Sequence, residues 1–167
     1  MMNYDMAPSI ARSDSFNIST YELDLDVTAY TYQQLVAHAT IGLDVLDATA
    51  QDLWFDLVEL TVDSIHINGV NADHVQTESQ LHVELPEAGW QTGTDYEIEV
   101  WYQGSPYQDP YWGGFYFVSD YIYNLGIGLT TIPPNFGKVW YPCFDNFVER
   151  AAYTYHVTSA GGRRAHC

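Results

Sequence analysis

With 167 residues the chain is long enough for one well-buried core and too short for two ordinary domains, and its 47% apolar and 16% aromatic content excludes disorder. Its 22 acidic residues against 5 basic ones give a formal net charge of −17, which repels phosphate backbones and excludes nucleic acid as a partner. Nothing approaches the ~20 apolar residues of a membrane span, and Met1 to Phe16 has neither the basic start nor the apolar run of a signal peptide.

Met1 to Asn17 shows no sustained period and contains Pro8 and several serines. Residues 1–18 are therefore expected to be a flexible leader, and residues 19–167 one β domain. In Tyr21 to Val27 apolar Tyr21, Leu23, Leu25 and Val27 alternate with Glu22, Asp24, Asp26 and Thr28, the pattern of a strand with one wet face. Leu35 to Val45 repeats it over a longer span. Leu53, Phe55 and Leu57 continue it, but Val58, Leu60 and Val62 fall on the opposite parity, so a bulge or bend is expected near Leu57. Ile65 and Ile67 lead into Asn68-Gly69, whose tolerance of positive φ makes it a hairpin turn.

Leu81, Val83 and Leu85 form a further alternating run that Pro86 ends, since proline cannot donate to a ladder. Tyr96 to Tyr102, Phe115 to Val118, and Tyr153, Tyr155 and Val157 complete the set. Helix is expected at most as a short turn near Asn146 to Arg150. The fold class is all-β, with curved antiparallel sheets packed as a sandwich and little or no helix. Gly104 to Pro142, rich in Gly, Pro and aromatics, is irregular and long enough to be expected against a partner surface.

Six histidines raise the question of a metal, but no His-Glu-x-x-His helix occurs, and His38, His66 and His82 each fall on the polar face of a strand. Glu22, Asp24 and Asp26 read as a solvated strand face, not as a calcium site, because no loop closes around them. Neither a nucleophile elbow nor a phosphate loop is present. Cys143 lies among Tyr141, Pro142 and Phe144 and reads as an inert buried thiol. With only Cys143 and Cys167, no disulfide framework is available. The aromatics of Tyr107 to Tyr116 suit either a domain interface or stacking on sugar rings.

Trp140 to Phe147, WYPCFDNF, resembles the [FY]-P-C-[FLW]-D-x-P stretch of the N-terminal domain of the zinc metallopeptidases that include aminopeptidase N and leukotriene hydrolase. Lys138 stands at the basic position before this motif, and Ala151 to Thr158 at the strand after it. YELDLDV (Tyr21 to Val27), LWFDLVELTVDSIHING (Leu53 to Gly69) and EIEVWYQG (Glu97 to Gly104) are similar to further strands of that domain, so the resemblance runs from about Ser19 to the end of the chain.

The resemblance implies a saddle-shaped β-sandwich that packs on a catalytic zinc domain and forms one wall of its peptide-binding cleft. The zinc and the glutamate that activate water for peptide hydrolysis then belong to that other domain, and this chain itself carries no cofactor and no catalytic residue. Pro134, Asn135, Lys138 and Tyr141 are the implied cleft or interface residues. The position at which many relatives carry a Gln or Glu for the substrate's free amine falls on Pro133, and Asn146-Phe147 replaces the motif's final proline. The variant PPNFGKVWYPCFDNFVER is similar to a bacterial branch. Arg163 to Cys167 resembles the start of a further strand, so the domain is expected to continue, and the exposed aromatics together with an open strand edge imply self-association of the chain alone. The acidic, lysine-poor composition fits a salt-loving source or an extracytoplasmic protein. The rival reading is a stand-alone module that binds carbohydrate or a protein surface.

Overall fold

Period-two segments become strands because successive side chains leave opposite faces of a pleated backbone; Leu23 and Leu25 thus enter a core while Glu22 and Asp24 stay wet. The structure, a computed structural model, describes residues 2–3, 6–84, 86–132 and 134–166. In chain order β1 is Met2–Asn3, α1 is Met6–Ser15, β2 is Phe16–Asp26, β3 is Leu35–Val45, β4 is Leu53–Asp56, β5 is Thr61–Ile67 and β6 is Val70–Ala72. There follow β7 (His74–Gln76), β8 (Gln80–Val83), β9 (Asp95–Gly104), β10 (Gly113–Val118), β11 (Tyr121–Gly128), β12 (Thr131–Ile132) and β13 (Ala152–Thr158). Tyr30–Tyr32 and Gly137–Val139 are single turns of 3₁₀ helix.

The fold is the expected all-β sandwich, 50% strand and 9% helix. A six-stranded sheet in the order β13-β2-β3-β9-β5-β6 stands with a three-stranded sheet, β4-β8-β7, and a separate hairpin, β10-β11. The large sheet is mixed, because β13 runs parallel to β2 with Tyr155 opposite Leu23. One core joins Leu23, Ala39, Ile41, Ile98 and Val100 of the large sheet to Leu53, Phe55 and Leu81 of the small one, and to Phe115 of the hairpin.

The parity change near Leu57 is a bend at which the chain changes sheets. Glu59 takes a positive φ of 61° between β4 and β5, and a bulge between Val62 and Ser64 then resets the register against β9. At Asn68-Gly69 both residues have positive φ, 50° and 77°, and Ile67 pairs with Val70 across a two-residue loop, as the tightest hairpins require.

Within the leader expected at residues 1–18, the described residues include helix α1 and the start of β2. Pro8 sits in the first turn of α1, where its missing N–H costs nothing, and Ser9 and Arg12 on that helix are buried. Strand β2 then begins at Phe16, a fully buried residue. Near Asn146 there is no helix; the Asn146 side-chain oxygen instead accepts from the Val148 and Glu149 N–H groups, a local turn of the kind asparagine favours. Leu85, Pro133 and Cys167 lie outside the described residues.

Candidate functional site

The segment carrying the motif is a loop held by two linked ion pairs. Asp145 accepts from Lys138 Nζ at 2.8 Å and from the Gly137 N–H at 3.2 Å, while Lys138 Nζ also donates to the Asn135 carbonyl at 2.8 Å. The Asn135 side-chain amide donates in turn to the Asp145 carbonyl. The Asp145 N–H donates to the Asp56 carboxylate at 3.0 Å, and that carboxylate pairs with Arg12 at 2.9 Å. Asp56 and Cys143 also form an isolated antiparallel bridge, so β4 fixes the loop through both backbone and side chain.

Arg12 is unusual for a buried cation in having aromatic faces on two sides. Its guanidinium carbon lies 3.7 Å from the Trp54 ring centre and 3.9 Å from that of Phe144, and it donates to the Trp54 carbonyl and Ser9 Oγ. Guanidinium is weakly hydrated and planar, so it tolerates such a site better than an ammonium. This residue was missed in the sequence, where a lone arginine in an acidic leader gives no sign of a partner.

A second anchor organises the aromatic region. The buried Asp109 carboxylate accepts from the N–H groups of Tyr111 and Trp112 at 2.9 and 3.0 Å, and from Thr130 N–H at 2.7 Å and its hydroxyl at 2.5 Å. Burial alone would raise its pKa, but the bonds from Thr130, Trp112 and Tyr111 outweigh that and hold it well below the usual carboxylate range. Gly113 and Gly114, at φ 124° and 97°, let the backbone cross close by: a Cβ on Gly113 would lie 1.9 Å from the Ile127 carbonyl oxygen. The result is a fixed loop that leaves Tyr111 83% and Trp112 47% exposed.

The expected site residues separate into two groups. Pro134 is exposed. Asn135, Lys138 and Tyr141 are buried within the chain, the last with its hydroxyl 3.2 Å from that of Tyr153. Pro133 is not among the described residues. Burial pushes the Cys143 thiol up, with Asp145 and Asp56 adding to it against Lys138 and Arg12, which agrees with an unreactive side chain.

His38 and His66 flank Glu99 at 3.6 and 3.8 Å with Trp101 packed on both imidazoles. These are ion-pair distances, and among the described residues no three His, Cys, Asp or Glu side chains are placed to hold a metal ion. The described residues therefore bring together no set of ligands of the kind a zinc centre needs. No helix of the described residues is long and apolar enough to cross a membrane.

No family model and no curated protein sequence matches the chain. Solved structures do. An M1 zinc metallopeptidase from Deinococcus radiodurans, bound to a Tyr-Ser-Ala substrate, matches with a TM-score of 0.74 at 21% identity over 87% of this chain and 33% of its own. Yeast LTA4 hydrolase matches with a TM-score of 0.65 at 17% identity, over 87% of this chain and 23% of its own. Legionella pneumophila aminopeptidase A in complex with aspartic acid gives 0.64 at 13% identity, over 86% and 16%. The chain has the fold of the N-terminal part of such enzymes, and spans about a third or less of the length of these structures.

Proposed function

We propose that this chain is the non-catalytic N-terminal domain of a zinc metallo-aminopeptidase, packing on the catalytic zinc domain and forming one wall of the peptide-substrate cleft. The observation that carries the reading is the structural likeness to two-domain zinc metallopeptidases over 87% of the chain, together with the WYPCFDNF motif at Trp140 to Phe147. The Asp109-anchored loop with its exposed Tyr111 and Trp112 supports a docking role, since rigid aromatic anchors lose little entropy on burial.

In this reading Pro134 meets the partner domain or substrate directly. Asn135, Lys138 and Tyr141 act by holding the backbone of the wall rigid, and peptide hydrolysis belongs to the zinc domain. Two measurements test it. The coding sequence downstream of Cys167 should encode a His-Glu-x-x-His helix, and the chain alone should hold no stoichiometric zinc after dialysis and release no product from aminoacyl-anilides. A downstream sequence without that helix would sink the assignment and favour a stand-alone binding module, whereas turnover by the chain alone would place catalysis in this chain and sink both readings.

A further inference from the structure

Helix α1 is fastened to the rest of the chain chiefly through one side chain. Among its described side chains only Ser9 and Arg12 are buried, while Pro8, Ile10 and Ala11 are exposed, so it lacks the apolar stripe that usually holds a surface helix down. Asn146 adds hydrogen bonds from its side-chain amide to the Ser9 carbonyl at 3.2 Å and to Ser13 Oγ at 3.0 Å, each of modest net worth against water. Ten residues are too few for a helix to persist in water without packing. The free energy of lifting α1 thus resides mainly in what Arg12 gives up, and a local opening of this kind lies below global unfolding.

What Arg12 enters is a slot whose walls belong to the body of the chain. Trp54 and Phe144 face the guanidinium at 3.7 and 3.9 Å. The Trp54 carbonyl accepts from Nη1 at 2.6 Å and the Asp56 carboxylate from Nη2 at 2.9 Å, while α1 itself adds the Ser9 hydroxyl at 3.0 Å. Nε, the nitrogen on the tether to α1, is buried and finds no hydrogen-bond partner among the described residues. Recognition thus lies in the flat face and the two terminal nitrogens, which every arginine side chain presents alike. An ammonium matches neither the two aromatic faces nor the planar spacing of the acceptors.

The same slot supports the motif loop. Phe144 is one of its walls and packs on Phe55 with ring centres 5.5 Å apart, and the Asp56 carboxylate that meets Arg12 also accepts from the Asp145 N–H at 3.0 Å. Asp145 in turn holds Lys138 and the Gly137 N–H, and Lys138 holds the Asn135 carbonyl beside the exposed Pro134. A filled slot therefore keeps Asp56 and Phe144 in place for the loop, whichever chain supplies the guanidinium. A net charge of −17 draws cationic segments toward the molecule, so an arginine on a basic polypeptide is the occupant that electrostatics favour.

We propose that the slot between Trp54, Phe144 and Asp56 is an arginine receptor: Arg12 fills it in cis, and when α1 lifts, it takes an arginine side chain of a basic polypeptide, which then holds the motif loop in place of α1. The slot stands on its own geometry, and only its bearing on a substrate-cleft wall at Pro134 rests on the peptidase reading, so either can fail without the other. The probe is the capped peptide acetyl-Lys-Ser-Ala-Arg-Ser-Ala-Lys-amide. A control carrying Lys for Arg keeps the charge and removes the guanidinium, and methylguanidinium supplies the free cation. The readout is amide hydrogen exchange of the full chain in ~0.15 M salt, where screening acts over about 8 Å.

The α1 amides should exchange faster than those of β3, and the arginine probe at millimolar concentration should speed them several-fold further, because it captures chains in which α1 has lifted. The lysine control should leave them unchanged, and the β3 amides should respond to neither. In the Arg12→Ala chain the arginine probe should slow exchange of the Gly137 and Asp145 amides several-fold, an effect that adding Asp56→Asn removes. The proposal is overturned if α1 amides exchange only in step with β3, if the arginine and lysine probes act equally, or if the arginine probe leaves wild-type α1 exchange unchanged. The wild-type measurement decides even where Arg12→Ala does not fold. If methylguanidinium matches the arginine probe at equal concentration, the occupant is the free cation and the polypeptide assignment falls.

Discussion

At the scale of single residues, the Arg12–Asp56 pair tests whether α1 belongs to the fold. Both side chains are almost fully buried, 2% and 0% exposed, so removing one leaves the other charged and unpaired in a poorly solvated place. Asp56→Ala and Arg12→Ala are each expected to cost about 3–5 kcal/mol, whereas replacing both with apolar residues of similar size should cost much less. Urea unfolding of the three variants checks this. Asp109 makes a prediction in pH. Its folded-state pKa is depressed, so its contribution is present above the ordinary carboxylate pKa of about 4 and is lost as pH falls below that toward the folded value. The stability difference between wild type and Asp109→Asn should therefore shrink on acidification from pH 6 through pH 3, as followed by thermal unfolding; a constant difference would contradict the anchoring role. Lys138 and Asp145 were legible as members of one motif, only seven residues apart. Arg12 and Asp56 were not, because their partnership spans 44 residues and exists only once β4 and α1 have met.

At the scale of elements, strands with one wet face could be read directly from their alternation, and β3 falls on Leu35–Val45 as expected. Strand β11 was not read. Tyr121–Gly128 is mostly exposed on both sides, so it has no buried face to impose a pattern, and its pairing with β10 alone makes it a strand. Helix α1 was hidden for a related reason: it buries a serine and an arginine, not an apolar stripe. The Asn68-Gly69 turn, by contrast, rests on local chemistry. Gly69→Ala places a side chain at φ 77° with open space around it, so the cost is conformational, about 1–2 kcal/mol. Denaturant titration should show a lowered midpoint with unchanged slope, since the surface exposed on unfolding stays the same.

At the scale of the whole molecule, 22 acidic residues against 5 basic ones, of which Arg12 and Lys138 are already buried in pairs, leave most carboxylates without a cation. Repulsion between them acts over a screening length of about 10 Å at ~0.1 M salt and about 3 Å at ~1 M. The unfolding midpoint is therefore expected to rise with sodium chloride, with a sulfate series separating screening from salting-out; a flat or falling midpoint would contradict this. The parallel pairing of β13 with β2 also has a consequence for the protein during its own synthesis. His156 and the Glu22 it meets are 134 residues apart, so at typical elongation rates the ribosome needs on the order of ten seconds to deliver one after the other. Throughout that interval the outer edge of β2 lacks its β13 neighbour, although β3 emerges early to pair with its other edge. The nascent chain thus passes through a stage with an exposed sheet edge, and ribosome-bound intermediates halted before Ala152 should engage chaperones more than those halted once β13 has left the exit tunnel.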